Sequence, residues 1–415
     1  MTVHVIGGGL AGLSAATALA AAGTHVVVYE GARQAGGRCR SYADAATGLV
    51  IDNGNHFVAA GNHAVHAYLG RIGAEDRLAG DEEARFDFVD LATGARWALR
   101  PNAGRVPWWA LAAGRRVPGT RVGDYLPLGR LLRAPAGATI ADVIPTAGPL
   151  WDGLLATFFR SALNTPPEVA SARLAGAIVR ETILAGGAAT RPRYAVPTLA
   201  AAFVEPALAY LRSRESTVRL ATRVRAVEQA DGRVAALRLG EETVAVEAGD
   251  AVIVATPPWI AADLLPGLTV PDAFHAIVNA HFAVAPPPGV PAILAVNGGT
   301  AEWLVAHGDR VSVTVSAADA LAARDRAEIA AALWADIRAA YRWDAPMPPF
   351  QIVKEMRATF AATPAQDTRR PAAWTGVANL FLAGDWTQTR LPATIEGAIR
   401  SGATAAGLAS RATSL

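Results

Sequence analysis

"VHVIGGGLAGLSAATALAAAGTHVVVYE", residues 3–30, decides how the rest of the chain is read. Val3 to Ile6 is a short β-rich run, and Gly7, Gly9 and Gly12 follow it with the spacing GxGxxG. A helix of small Ala/Leu residues comes next, then a second apolar strand, Val26 to Tyr29, closing on Glu30. Gly7 permits a tight turn, Gly9 lets backbone N–H groups approach a pyrophosphate at the helix N-terminus, and Gly12 lets helix and strand pack closely. Glu30 is placed to accept from ribose hydroxyls. A lone GxGxxG fits any glycine-rich turn; strand, helix, second strand and terminal acid together specify a dinucleotide-binding βαβ unit. The first 29 residues carry no Asp, Glu, Lys or Arg, a length that could span a membrane, but their glycines and the lack of a basic leader favour strand-helix-strand.

The whole chain fits a large globular protein. Its 415 residues are 52% hydrophobic, ample for a big core and two or more domains. A net charge of +2, from 38 basic and 36 acidic residues, gives no reason to expect a nucleic-acid partner. The single cysteine, Cys39, cannot form an internal disulfide, so a reducing, cytoplasmic setting is expected. His63 and His66 stand at helical spacing without companion ligands and read as surface or packing residues, so no metal site is expected.

Directly after the βαβ unit, "EGARQAGGRCRS" (30–41) places Gly36-Gly37-Arg38, where two glycines allow close approach to a cofactor and an arginine can neutralise phosphate. This resembles the second motif of FAD-containing amine oxidases and carotenoid desaturases. "FLAGDWTQTRLPATIEGAIRSG" (381–402) resembles the C-terminal element that closes the FAD site in the same superfamily. The resemblance implies an α/β fold, a Rossmann-type FAD-binding domain interleaved with an α+β substrate-binding domain. The expected division is 1–95, 211–262 and 351–415 for FAD, and 96–210 and 263–350 for substrate. It further implies non-covalent FAD held by Gly7, Gly9, Ala11 and Gly12, by Glu30, Gly31 and Ala32, and by Gly36, Gly37 and Arg38. Gly54 and Asn55, the backbone of Val224 near adenine, then Gly384, Asp385, Thr394 and Ile395 complete the set. Between these motifs, 85–100 reads as a hairpin around Thr93-Gly94, and 218–256 as several strands turning at Asp231-Gly232 and Gly249-Asp250.

A narrower resemblance rests on "RSALNTPPEVASARLAGAIVRETI" (160–183), "DNGNHFVAAGN" (52–62) and "KEMRATFAATP" (354–364), together with the C-terminal element. These are similar to the squalene-associated FAD-dependent enzymes of hopanoid synthesis, the hydroxysqualene dehydroxylases. Asn55 stands where that family carries Gln, and "FVAAGN" where it carries leucines. The resemblance implies reductive removal of an allylic hydroxyl from a C30 isoprenoid, with hydride from reduced flavin. His56 and Asn55 then become candidates to bind or protonate the leaving hydroxyl, and Lys354, the sole lysine, a candidate to hold a water near the flavin. An oxidising desaturase or amine oxidase would share every cofactor motif, and a non-enzymatic lipid binder could share the fold.

Residues 104–135 carry six arginines and one aspartate, with Trp108, Trp109 and Tyr125 among Leu, Val and Pro. That mixture describes either a membrane-interface segment or a solvated loop over two core tryptophans, and a water-insoluble substrate favours peripheral membrane attachment. No second GxGxxG offers a nicotinamide site, so NADPH, if it is the reductant, docks without that fold.

Overall fold

The computed structural model describes residues 1–412. In chain order its main elements begin with β1 (Thr2–Ile6), α1 (Leu10–Ala21), β2 (His25–Tyr29), α2 (His63–Ile72), and the hairpin β3 (Phe86–Asp90) and β4 (Arg96–Leu99). Then come α3 (Ala156–Leu163), α4 (Ala172–Glu181), β5 (Thr217–Arg219), β6 (Ala251–Val254), β7 (Phe274–Phe282), β8 (Ile293–Asn297), β9 (Trp303–Ala306) and β10 (Val311–Val315). The chain closes with α5 (Arg326–Tyr341), β11 (Phe350–Phe360), β12 (Leu380–Leu382) and α6 (Ile395–Ala412).

Five strands form a parallel sheet in the order β5-β2-β1-β6-β12. β6 reads AVIV and is buried along its whole length, as a strand covered on both faces must be. α1 is apolar around its circumference because it is sandwiched between this sheet and α6. The two helices touch backbone to backbone: a Cβ on Gly402 of α6 would stand 2.2 Å from the Ala11 carbonyl. A small antiparallel sheet (226–230, 233–239, 242–245) turns at Asp231-Gly232, both at positive φ.

The second sheet has seven strands in the order β11-β7-β10-β9-β8-β3-β4, antiparallel throughout except for β8 against β3. One face carries Val278, Ala280, Phe282, Leu294, Leu304, Val311, Val313 and Ile352, packed against Ile329, Leu333 and Ile337 of α5. The opposite face carries Asn279, His281, Ser312, Thr314, Trp303 and Glu355, and it looks towards the first sheet's cofactor side.

The sheet membership moves two expected boundaries. The hairpin at 85–100 forms as read, but it joins the seven-stranded sheet, so a border at 95 would cut it in half. A two-stranded ribbon alone is marginal, and the parallel pairing of β3 with β8 supplies its support. The border at 351 likewise cuts β11, which pairs with β7.

Candidate functional site

The nucleotide motifs converge at the C-terminal ends of β1 and β2, where ligands bind in open parallel sheets. Gly7 has φ +112° and donates its amide to the Tyr29 carbonyl at 2.8 Å. A Cβ there would lie 2.6 Å from the Ala255 carbonyl, and one on Gly12 only 1.9 Å from the Gly7 carbonyl. Gly9 differs: nothing stands within 4 Å of its Cβ position. Gly7 and Gly12 are thus required by the protein's own packing, whereas Gly9 leaves an open approach. Gly9 also caps the 12-residue α1 without a side-chain hydrogen bond, which leaves the helix N-terminus available to an anion. A pyrophosphate fits there.

The Glu30 carboxylate accepts from the Gly8 and Ala32 amides, each at 2.8 Å. Residues 221–224 run beside it: Ala221 and Thr222 donate to the Ala32 and Glu30 carbonyls, Arg223 packs over Gly31, and Val224 is buried just beyond. Gly36 (φ +110°) donates to the Gly8 carbonyl at 2.8 Å, and Gly37 follows at φ +56°. Ala11 lies in the buried first turn of α1.

Arg38 and Asp385, read from motifs 347 residues apart, meet in an ion pair of 2.7 Å. A second Arg38 nitrogen donates to the Ala358 carbonyl at the end of β11. Asp385 therefore holds Arg38 directly, a contact that the sequence reading did not foresee. The Gly384–Thr389 loop is positioned by a residue that sequence reasoning missed, the fully buried Arg370. Its guanidinium donates to the Asp385 and Thr387 carbonyls and to Thr389 Oγ1, and pairs with Asp367 at 3.2 Å. Nothing in a chain rich in arginine distinguishes this one before folding. Thr394 caps α6, its Oγ1 accepting from the Gly397 amide at 3.0 Å, and Ile395 opens the helix. Glu396 was the second residue missed. Its carboxylate, 3% exposed, accepts from the Ala64 and Val65 amides and so caps α2, which has no side-chain cap of its own. The Glu396-Gly397-Ala398 sequence was visible, but its partner lies 331 residues away.

The Asn53–His56 loop crosses the exposed-to-cofactor face of the seven-stranded sheet. Asn53 Nδ2 donates to Glu355 Oε2 at 3.2 Å, and the Asn279 carboxamide oxygen accepts from the Asn55 amide at 3.3 Å. Gly54 fits because a Cβ there would stand 3.1 Å from Asn279 Nδ2. Burial, followed by the charge of Arg38, lowers the His56 pKa to about 4 against the opposing pull of Asp385. At neutral pH the ring is therefore an uncharged imidazole. His56, Asp52, Asn55, Tyr194 and His307 line a cavity of about 10 Å³, room for about one water. Beneath it His281 is fully buried, donating Nε2–H to the Asp52 carbonyl at 3.0 Å and accepting from Ser312 at 2.9 Å. Desolvation lowers its pKa to about 4.

Two catalytic candidates change meaning. Lys354 does not face the cofactor side: strand alternation from Glu355 turns it to the α5 face, where Nζ donates to the Arg324 carbonyl. Asn55 spends both amide hydrogens on Val313 O and Thr314 Oγ1, so it anchors the loop to β10 rather than presenting a free donor. In 104–135, Trp109 is core, 5% exposed and edge-on to Tyr125, while Trp108 is half exposed with Arg115 over its ring. Cys39 is buried beside Arg38, and desolvation pushes its thiol up to about 12. Among the described residues there is no cluster of metal-binding side chains, and no helix is long and apolar enough to cross a membrane.

A family model described as flavin containing amine oxidoreductase matches residues 10–409. A hydroxysqualene dehydroxylase of Rhodopseudomonas palustris is 53% identical over 408 residues, covering 98% of both chains. Those of Sinorhizobium fredii and Zymomonas mobilis are 50% and 47% identical, again covering 98% of both chains. This chain belongs to the flavin-containing amine oxidoreductases, in the hydroxysqualene dehydroxylase family. Solved structures share the fold alone. Cyclohexylamine oxidase from Brevibacterium oxydans superposes with a TM-score of 0.71 at 17% identity over 99% of each chain. A putative protoporphyrinogen oxidase from Exiguobacterium gives 0.70 at 16% identity, over 100% of this chain and 99% of that one. The family membership makes the protein a flavin-dependent oxidoreductase, and the amine-oxidase fold expected from the motifs is the one observed.

Proposed function

We propose that the protein removes the hydroxyl of hydroxysqualene reductively, giving squalene, with FAD held non-covalently. The observation that carries this reading is the near full-length identity of about half to three hydroxysqualene dehydroxylases, on a chain whose cofactor motifs all converge. Gly7, Gly9 and the α1 N-terminus would hold the pyrophosphate, and Glu30 the ribose. Arg38, Asp385 and the α6 N-terminus would hold the distal part. The flavin, when bound and reduced, supplies a hydride.

The protein's own residues supply the rest. His56, uncharged at neutral pH, hydrogen-bonds the departing hydroxyl, and its protonated form, rare at pH 7, is a correspondingly strong acid. The Glu355–Asn53 and Asn55–Thr314 hydrogen bonds fix the loop that carries it. Water is kept out by the apolar cluster that includes Trp151, Leu154, Phe159 and Phe88.

The substrate reaches this cluster from a membrane surface. Val106, Trp108, Leu111, Val122 and Leu126 are exposed beside the equally exposed Arg105, Arg121, Arg130 and Arg133. A cleft of about 220 Å³ under the same segment is lined by Leu128, Ile144, Leu150, Trp151 and Leu155. It is smaller than the usual ligand pocket of roughly 300–1,000 Å³, so a C30 chain must widen it. NADPH is the reductant of this reading. Purified protein incubated anaerobically with hydroxysqualene and NADPH should form squalene and consume the reductant. A protein that leaves hydroxysqualene intact but desaturates phytoene or oxidises amines would overturn the reading.

A further inference from the structure

On the cofactor side of the seven-stranded sheet, three aromatic rings stand in a row across β9, β3 and β4, with only the small Ala295 of β8 between Trp303 and Phe88. Phe88 on β3 pairs with Trp97 on β4, their rings parallel within 5° and 5.4 Å apart. Trp303 on β9 lies 6.4 Å from Phe88, tilted at 59°. Trp303 is directly opposite Thr314, whose hydroxyl accepts from Asn55 and donates to Asn279. The row thus ends one strand away from the loop that carries His56.

The indole nitrogens of Trp97 and Trp303 are both buried and have no hydrogen-bond partner among the described residues. Buried indoles normally find an acceptor. This chain shows the ordinary case elsewhere: Trp334 Nε1 donates to the Ala345 carbonyl at 3.2 Å and Trp386 Nε1 to the Thr256 carbonyl at 2.9 Å. Two unmet donors on one aromatic row, and on the site-facing side of the sheet, point to a ligand that brings an acceptor atom.

We propose that Trp303, with Phe88 and Trp97 behind it, is the subsite for the reacting segment of the isoprenoid alcohol. The inference rests on the dehydroxylase reading and deepens it. Trp303 Nε1–H donates a hydrogen bond to the substrate oxygen and keeps its own proton. The C–O bond then breaks with its electron pair on oxygen, which takes up the proton that His56 delivers on that reading and leaves as water. The carbon left behind is an allylic cation, and it accepts the hydride supplied by the reduced flavin, so the substrate is reduced as the cofactor is oxidised. Aromatic ring faces attract a cation within about 6 Å of their centroids, and the partly exposed Trp303 ring is the one of the three that can offer such a face, with Phe88 behind it stacked on Trp97.

Two variants separate the roles of the N–H and the ring. Trp303→Phe keeps a ring and deletes the donor, and should weaken hydroxysqualene binding by about tenfold, read from quenching of protein fluorescence in the oxidised enzyme. Trp303→Leu deletes the ring, and should slow single-turnover oxidation of the pre-reduced enzyme by at least about tenfold. It should also divert product from squalene to dienes formed by proton loss. Trp334→Phe, on the α5 side, should change neither binding nor product ratio. The proposal is overturned if Trp303→Phe binds hydroxysqualene as wild type does, or if Trp303→Leu yields only squalene at the wild-type rate. Should Trp303→Leu lose its flavin, the binding measurement on Trp303→Phe decides. A wild-type enzyme inert towards hydroxysqualene would remove the function reading and this subsite together. An active wild type with unaffected Trp303 variants removes the subsite alone.

Discussion

The glycines of the nucleotide cradle and the polar face of the seven-stranded sheet solve the same problem in opposite ways. Both must bring chain segments close to a ligand. In the cradle the backbone does it, with Gly12 so near the Gly7 carbonyl that no side chain fits, and Gly9 facing open space. On the sheet, side chains do it, through partners far apart in sequence such as Asn55 with Thr314 and Asn53 with Glu355. Steric necessity leaves a mark in a local sequence; a hydrogen bond between positions hundreds of residues apart leaves none.

That comparison can be broken most sharply at the glycines. Gly12→Ala would put a methyl 1.9 Å from the Gly7 carbonyl, so it should abolish folding or yield only aggregated, colourless protein. Gly9→Ala meets no protein atom within 4 Å and should fold with nearly wild-type thermal stability while losing flavin affinity. If both variants retain flavin equally, the distinction between packing glycine and ligand glycine is wrong.

Arg370 tests the buried side-chain network. Arg370→Met leaves Asp367 its other partner, Arg173 at 2.6 Å, but removes the donor from the Asp385 and Thr387 carbonyls. Each buried acceptor left without its donor costs about 1–3 kcal/mol, and Arg370→Met should therefore lower the denaturation midpoint and weaken flavin retention. A midpoint within error of wild type would show that the loop holds its shape without Arg370.

His56 tests the chemistry. His56→Gln should slow single-turnover reoxidation of the reduced enzyme by about 10²-fold while flavin stays bound. With its pKa near 4, the wild-type rate should rise as pH falls towards that value, a trend the variant lacks. Identical pH profiles would assign the proton elsewhere, with Asp52, whose pKa burial raises, the next candidate.

The histidine beneath it makes a stability prediction. His281 is fully buried, and loss of solvation, followed by the charge of Arg310, is why the folded protein resists the proton. An exposed histidine titrates near 6.5, so between about 6.5 and about 4 the unfolded chain binds protons that the native ring refuses. Stability is therefore full above 6.5 and falls as pH drops through that window. His281→Asn should flatten the slope of melting temperature against pH; an unchanged slope would clear this residue.

Much of the fold and the local geometry of the candidate cofactor cradle were legible because their signals are local. The βαβ unit, Gly36-Gly37, the hairpin at 85–100 and the capped start of α6 all appear where the sequence put them. What stayed hidden depends on partners brought together only by folding. Glu396 caps a helix begun over three hundred residues earlier, and Arg370 is one arginine among many. Trp109 and Trp108 are neighbours in sequence, yet one is core and the other exposed, because a short helical turn points them apart.

Lys354 gives the smallest effect and the clearest check on that explanation. Its rarity suggested a role beside the flavin, but rarity says nothing about which way a strand residue points. Glu355 reaches Asn53 on the cofactor side, and Lys354, one residue earlier on an extended strand, must point to the other. There Nζ meets the Arg324 carbonyl just before α5, at a partly exposed position where a single hydrogen bond contributes on the order of 1 kcal/mol or less. Lys354→Met should accordingly leave the flavin spectrum and the single-turnover rate within about twofold of wild type, and lower stability only slightly. A loss of rate comparable to that of His56→Gln would mean that β11 presents its other face when substrate is bound, and the alternation that orders the whole sheet would have to be redrawn.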